Sequence, residues 1–171
     1  MNQEEFLDLL CRFTERPMPA LGGRHIYLWH GDVGPLRRAL PGRTVQTLDL
    51  YDLAAGLSQA PSSMDGARRV LLRAIRLQIA DLLSSDRQQV LVVIGCDLLS
   101  RYRVALGSFF EIASEHTAVV FAVSPAETDF QPTEPLPEYV SLNPHAPLDY
   151  LRTALGEGNV IYEECEGNEK E

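Results

Sequence analysis

Two glycines, Gly31 and Gly34, stand between a strand-like aromatic segment, HIYLWH (25–30), and a pair of arginines, Arg37 and Arg38. A strand that runs through a glycine turn into a helix can cradle phosphate: backbone N–H groups face the anion, and the helix N-terminus adds partial positive charge. Nucleotide hydrolysis asks for more. It needs G-x-x-x-x-G-K-[ST], in which the lysine reaches the β- and γ-phosphates and the hydroxyl holds Mg²⁺. The turn here is too short, Pro35-Leu36-Arg37-Arg38 follows it with no Ser or Thr, and the only lysine in the chain is Lys170. The residues therefore predict an anion-binding turn at most, with Arg37 or Arg38 as counter-charge and Asp32 opposing it.

Other chemistries find less to stand on. His25, His30, His116 and His145 lack metal-ligand spacing, and Cys11, Cys96 and Cys165 are odd in number and far apart. Cys11 and Cys96 lie among apolar residues and read as inert core positions. No G-x-S-x-G elbow is present, and Gly107-Ser108 reads as a packing feature in the middle of a helix. Asp49 and Asp52 could share a cation, but a helix cap explains Asp49 more simply. Without an internal lysine there is no Schiff-base nucleophile. The expectation is a chain with no catalytic residue, no metal and no cofactor, hence not an enzyme.

Arg69, Arg73 and Arg76 fall at i, i+4 and i+7 with Arg68 beside them, a basic stripe along one helix. Residues 16–103 carry twelve arginines against seven aspartates, whereas 104–171 carry thirteen acids against two bases. The net charge of −9 argues against a dedicated nucleic-acid binder, so the stripe reads as a partner-binding edge. No apolar run approaches the roughly 20 residues of a membrane span, and the first residues are acidic rather than basic. The expected location is the cytoplasm.

Phe6, Leu9, Leu10 and Phe13 predict an amphipathic helix over 3–14, and 16–23 reads as a linker. Strands are expected at 25–30, 44–48, 89–94 and 118–123, the last two as continuous apolar runs buried on both faces of a sheet. Between them fall a short helix at 35–40, one capped by Asp49, and a long one at about 64–84. Ser62 to Asp65 has capping-box form at the start of that long helix, and Leu72, Ile75, Ile79, Leu82 and Leu83 form its inner face. A single helix over 98–115, capped by Asp97, points Leu99, Tyr102, Leu106, Phe109 and Ala113 inward. Residues 125–137 read as a loop, 138–142 as an edge strand, and 144–155 as a helix. A last strand falls near 159–162, before an acidic tail read as disordered. One domain, 1–156, is expected, with 157–171 as its appendage.

Helices alternating with buried strands imply a three-layer α/β sandwich with a mostly parallel sheet. The turn at 31–34 occupies the place of a phosphate loop. The strand at 89–94 occupies that of the second nucleotide motif, where Gly95-Cys96 replace the acids and Asp97 comes late. The layout resembles a P-loop NTPase of the additional-strand class, AAA-type domains included, with both nucleotide motifs lost.

Four segments carry a further resemblance: VQTLDLYDLAAGLSQ (45–59), VLVVIGCDLLSRYRVALGSFFEIA (90–113), AVVFAVSP (118–125) and LPEYVSL (136–142). They are similar to the small P-loop accessory protein of type 3 BREX phage-exclusion systems. LDLYDL and the Gly95 to Arg103 stretch are also similar to BrxB-type proteins of the same islands. The resemblance implies a non-catalytic subunit in bacterial antiviral defence, working beside a large ATPase, a methyltransferase or a phosphatase-like partner. The missing lysine departs from the first family's pattern. Two alternatives stay open from the residues: a phosphate-ligand or nucleotide sensor without hydrolysis, and a DNA-associated accessory factor. A basic edge and an acidic tail on one chain also allow self-association.

Overall fold

A computed structural model describes residues 1–19, 24–40, 42–57, 61–84, 87–124, 146–156 and 159–162. The expectations for 125–142 and for the acidic tail lie outside these residues, as does part of the expected linker. The elements are α1 (Gln3–Glu15), β1 (Ile26–His30), α2 (Gly34–Ala39), β2 (Val45–Asp49), α3 (Leu50–Ala55), α4 (Met64–Leu82) and β3 (Gln89–Ile94). After these come α5 (Asp97–Arg101), α6 (Gly107–Ile112), β4 (Thr117–Val123), α7 (Ala146–Leu155) and β5 (Val160–Tyr162).

The five strands form one sheet in the order β2-β3-β4-β1-β5, and every pairing is parallel. Period-two alternation sends neighbouring side chains to opposite faces, and both faces are covered. Leu28, Leu91, Val93, Val119 and Phe121 join one apolar cluster with Leu71 and Ile75 of α4, Phe109 of α6 and Leu151 of α7. Trp29, Val90, Val92 and Val120 join the other with Phe6, Leu10 and Phe13 of α1 and Leu36 of α2. Only the β1-to-β2 connection moves toward the β2 edge, and among the described connecting helices only its α2 joins α1 on the second face. The connections that move the other way carry their helices on the first face, as one hand of crossover requires.

α1 is held by more than its apolar stripe. Asn2 and Glu5 exchange side-chain and backbone hydrogen bonds as a full capping box. Phe6, Leu10 and Phe13 are each fully buried, worth about 1.5–3 kcal/mol apiece. At the foot of the sheet, Gln88 donates to the carbonyls of Phe13, Arg16 and Glu115, and its own oxygen meets His116 Nδ1 at 2.6 Å. One side chain thus ties the end of α1 to the starts of β3 and β4. His25, also buried, contacts the Met18 carbonyl through Nε2 and the Tyr27 hydroxyl through Nδ1. Burial raises the Tyr27 hydroxyl above its ordinary pKa.

Expectations for two stretches of helix need correction. The cap of α4 is Ser63, which accepts from Gly66 N–H at 3.1 Å, so the Ser62–Asp65 box does not form. Its deepest inner residues are Ala67, Leu71, Ile75 and Ile79, while Leu72, Leu82 and Leu83 are only partly buried. The single helix expected over 98–115 is two short helices. Asp97 is the first residue of α5 rather than its cap, and Gly107-Ser108 begin α6 instead of lying mid-helix.

The joint between them is a Schellman turn. Val104 N–H donates to Leu99 O at 2.8 Å and Arg103 N–H to Ser100 O at 3.2 Å, while Leu99 and Val104 are both fully buried. Arg103 takes the left-handed position, with φ 51°, that glycine usually fills. A periodic apolar pattern continues straight through this joint, so periodicity alone reads one helix. Arg103→Gly should stabilise the fold by about 0.5–1 kcal/mol, because relief of left-handed strain exceeds glycine's extra unfolded-state entropy. A urea midpoint shifted upward at constant slope is the expected reading; a downward shift would show that the arginine side chain, not the backbone, sets the joint.

Candidate functional site

In an open parallel sheet the ligand crevice lies outside the carboxyl ends of the strands, where connections diverge to opposite faces. Here that point falls between β1 and β4. The chain leaving β1 enters α2 on the second face, and α7, beyond β4, packs on the first. The turn holding Gly31 and Gly34 therefore stands at the switch point.

Its geometry is closed by its own atoms. Gly31 N–H donates to Val123 O at 3.1 Å, fastening the turn to the end of β4. The fully buried Trp29 donates its indole N–H to Asp32 O at 2.9 Å. Asp32 Oδ2 lies 2.6 Å, and Arg38 Nη1 3.1 Å, from where a Cβ on Gly34 would be. A carboxylate and a guanidinium therefore both lie against Gly34, and a negative charge stands beside the turn. α2 is six residues long, and no side chain caps its first turn. Arg37 and Arg38 are exposed on it.

A second constellation closes the exits of β2 and β3. Asp49 ends β2 and caps α3, as expected, accepting from the N–H groups of Tyr51 and Asp52 at 2.9 and 3.2 Å. The cap aims Tyr51 at β3, and its hydroxyl donates to Asp97 Oδ1. Asp97 is 5% exposed and pairs with Arg101 across one helical turn at 2.5 Å. Burial raises the Asp97 carboxyl above its usual range; the Tyr51 hydrogen bond and then the Arg101 charge pull it partly back. Gly95 lets these groups meet. Its φ is +73°, and a Cβ there would stand 3.0 Å from the Tyr51 ring and 3.2 Å from Tyr51 N.

Sequence reasoning missed Tyr51, Gly95 and Arg101 as partners. Tyr51 and Asp97 are 46 residues apart, and no local spacing couples them. Each of their bonds is made within the protein, so the cluster serves to clamp α3 and α5 onto the sheet. Among the described residues, no group of three or more His, Cys, Asp or Glu could hold a metal ion.

The third set, Arg69, Arg73 and Arg76, is exposed on α4, on the face of the sheet opposite α2. The two basic sets are thus not brought together. Arg69 Nε donates to Asp65 O at 3.3 Å and Arg76 Nε to Ser108 Oγ at 2.9 Å, which hooks α4 to α6. Arg68 turns inward instead, donating to Tyr102 O at 3.2 Å. Val70 and Leu77 are exposed on the same helix, a feature that apolar spacing alone gives no reason to expect.

Grooves flank these elements. One of about 460 Å³ lies beside α3 and α4, with Asp49, Asp52, Leu53 and Gln78 on its walls. Another, about 630 Å³, lies between α5, α6 and α7, lined by Arg103, Leu106, Phe110, Asp149 and Tyr150. The Tyr150 hydroxyl there donates to Val104 O at 2.6 Å, and burial raises its pKa. No helix among the described residues is long and apolar enough to cross a membrane. No protein-family model, curated protein or solved structure matches this chain.

Two predictions follow from the clamp. Gly95→Ala should cost about 2–4 kcal/mol, summing a left-handed alanine with overpacking against Tyr51; a loss below half a kilocalorie would mean that Tyr51 moves aside freely. The second concerns pH. Between the unfolded-chain carboxylate pKa and the raised value of Asp97, the native state holds a proton that the unfolded chain has released. This group alone therefore makes stability fall as pH rises through that interval and adds no slope above it. Asp97→Asn should remove that descending component from urea midpoints taken upward from the ordinary carboxylate range. Parallel curves for the two proteins would show that Asp97 titrates as in the unfolded chain.

Proposed function

We propose that this chain is a non-catalytic, protein-binding subunit on a degenerate P-loop-like, three-layer α/β scaffold, serving as a cytoplasmic accessory component of a bacterial anti-phage defence system. The observation that carries the docking part of the reading is the outer face of α4. Two large exposed apolar side chains, Val70 and Leu77, stand there beside the Arg69, Arg73 and Arg76 row. The scaffold part is supported by the strand order, in which β4 lies between β1 and β3. An additional-strand layout has that form. The assignment to a defence system rests on the resemblance of the four segments to BREX accessory proteins, and it implies a large ATPase, methyltransferase or phosphatase-like protein as partner.

Absence of catalysis is supported by the way candidate groups are used. Asp32 lies against Gly34, Asp97 is paired with Tyr51 and Arg101, and Asp49 caps α3. One observation favours a second reading, a phosphate-ligand sensor without hydrolysis: the Gly31–Gly34 turn sits at the switch point, where such sheets bind ligands.

A tagged chain recovered from its native host should bring down one of the named partner types, and Leu77→Ser with Arg73→Glu should release it. The same preparation should show no thermal shift with millimolar ATP, GTP or inorganic phosphate, with or without Mg²⁺. A ligand at about 100 times its Kd would add about 2.7 kcal/mol. Recovery of the bait alone, together with a ligand-dependent shift, would replace the subunit reading with the sensor.

A further inference from the structure

The outer face of α4 consists of two surfaces laid side by side. Val70 and Leu77 lie seven residues apart, two turns along one line, and are 39% and 60% exposed. Single exposed apolar residues are ordinary. Among the described residues, however, the only other large exposed ones are Met1 and Tyr51, the latter bonded to Asp97. The arginine row flanks this line on one side. On the other, Gln78 leads into the groove whose far wall carries Asp49 and Asp52.

Resting on the docking reading above, we infer that this face receives an amphipathic helix of a partner protein, with apolar residues at i, i+3 or i+4, and i+7 and with glutamates or aspartates along the edge that meets Arg69, Arg73 and Arg76. Charge complementarity selects the acidic edge, and the Val70–Leu77 line selects the apolar stripe. A helix laid along another helix makes both contacts at matching repeats. The Nε bonds of Arg69 and Arg76 hold those side chains in place before binding, so less rotamer freedom is lost on contact.

Three other occupants fit less well. A nucleic-acid backbone has no use for Val70 and Leu77, and it would meet Asp49 and Asp52 across the groove and Asp81 on the exposed side of α4. The chain's own residues 163–171, EECEGNEKE, offer five glutamates but no large apolar side chain, so they would leave the apolar line uncovered. A second copy packed with its α4 antiparallel to this one, about a two-fold axis lying across the helix, would set arginine against arginine.

The test uses the full chain and fluorescence anisotropy with four labelled probes. These are a peptide with leucines at i, i+3 and i+7 and glutamates between, its leucine-to-serine control, polyglutamate of equal length, and a 20-base-pair duplex. The leucine–glutamate peptide should bind saturably, with the serine control and polyglutamate at least about tenfold weaker. Leu77→Ser and Arg73→Glu should each weaken the peptide about tenfold or more while leaving the circular dichroism unchanged; both positions are exposed, so neither threatens the core.

Absence of saturable binding, equal binding of polyglutamate, tighter binding of the duplex, or indifference to Leu77→Ser would each overturn the inference. If the native partner is lost on Leu77→Ser while the acidic peptide fails to bind, the docking reading stands and the acidic-helix class falls. If both variants keep the native partner, the docking reading itself falls.

Discussion

The five described strands all run the same way, so their carboxyl ends meet on a single rim, and a chain leaving that rim into a helix must turn sharply onto one face or the other. This constraint governs the rest of the molecule. Buried backbone groups at such exits need partners, because an unpaired one costs about 1–3 kcal/mol. β1 is closed by the Gly31–Val123 bond and by the Trp29 indole on Asp32 O. β2 is closed by the Asp49 cap. β3 is closed by Gly95, whose left-handed backbone admits Tyr51 against it.

The same rim is where α/β sheets of this kind place their ligands. A carboxylate that holds a metal or orients water must present its oxygens to the ligand. Asp97 gives one oxygen to Tyr51 and the other to Arg101 at 5% exposure. Asp49 spends an oxygen on two backbone N–H groups. At the β1 exit, Asp32 Oδ2 lies against Gly34. Among the described residues, then, the oxygens of Asp97 and Asp49 at this rim are engaged in bonds that hold the fold.

Legibility from sequence follows the range of the interactions involved. β3 and β4 could be read because burial on both faces demands unbroken apolar runs, and Asp49 could be read as a cap because an aspartate bonds N–H groups two and three residues on. The α5–α6 joint could not. Its left-handed residue is Arg103 rather than glycine, and Leu99, Leu106, Phe109 and Ala113 keep helical spacing across it. The arginine row was visible from spacing alone. The Tyr51–Asp97 contact and the Gln88 hub were not, since each joins residues that only the strand order brings together. Val70 and Leu77 went unnoticed for a related reason: an apolar residue in a helix is read as core until the rotation of the helix on the sheet is known.

That rotation is itself fixed by particular contacts. Leu71, Ile75 and Ile79 seat α4 against the sheet, while Arg68 and Arg76 tie it to Tyr102 O and Ser108 Oγ on either side of the α5–α6 joint. Rolling the helix to bury Val70 and Leu77 would lift Ile75 and Ile79 out of the core and break both arginine anchors. At about 1.5–3 kcal/mol for each large apolar side chain, the exchange of one pair for the other gains nothing and forfeits the polar ties. The exposed apolar line is therefore what remains once the inner face of α4 is satisfied. It is carried on a helix braced from two directions, so the face it presents is already ordered before any partner meets it.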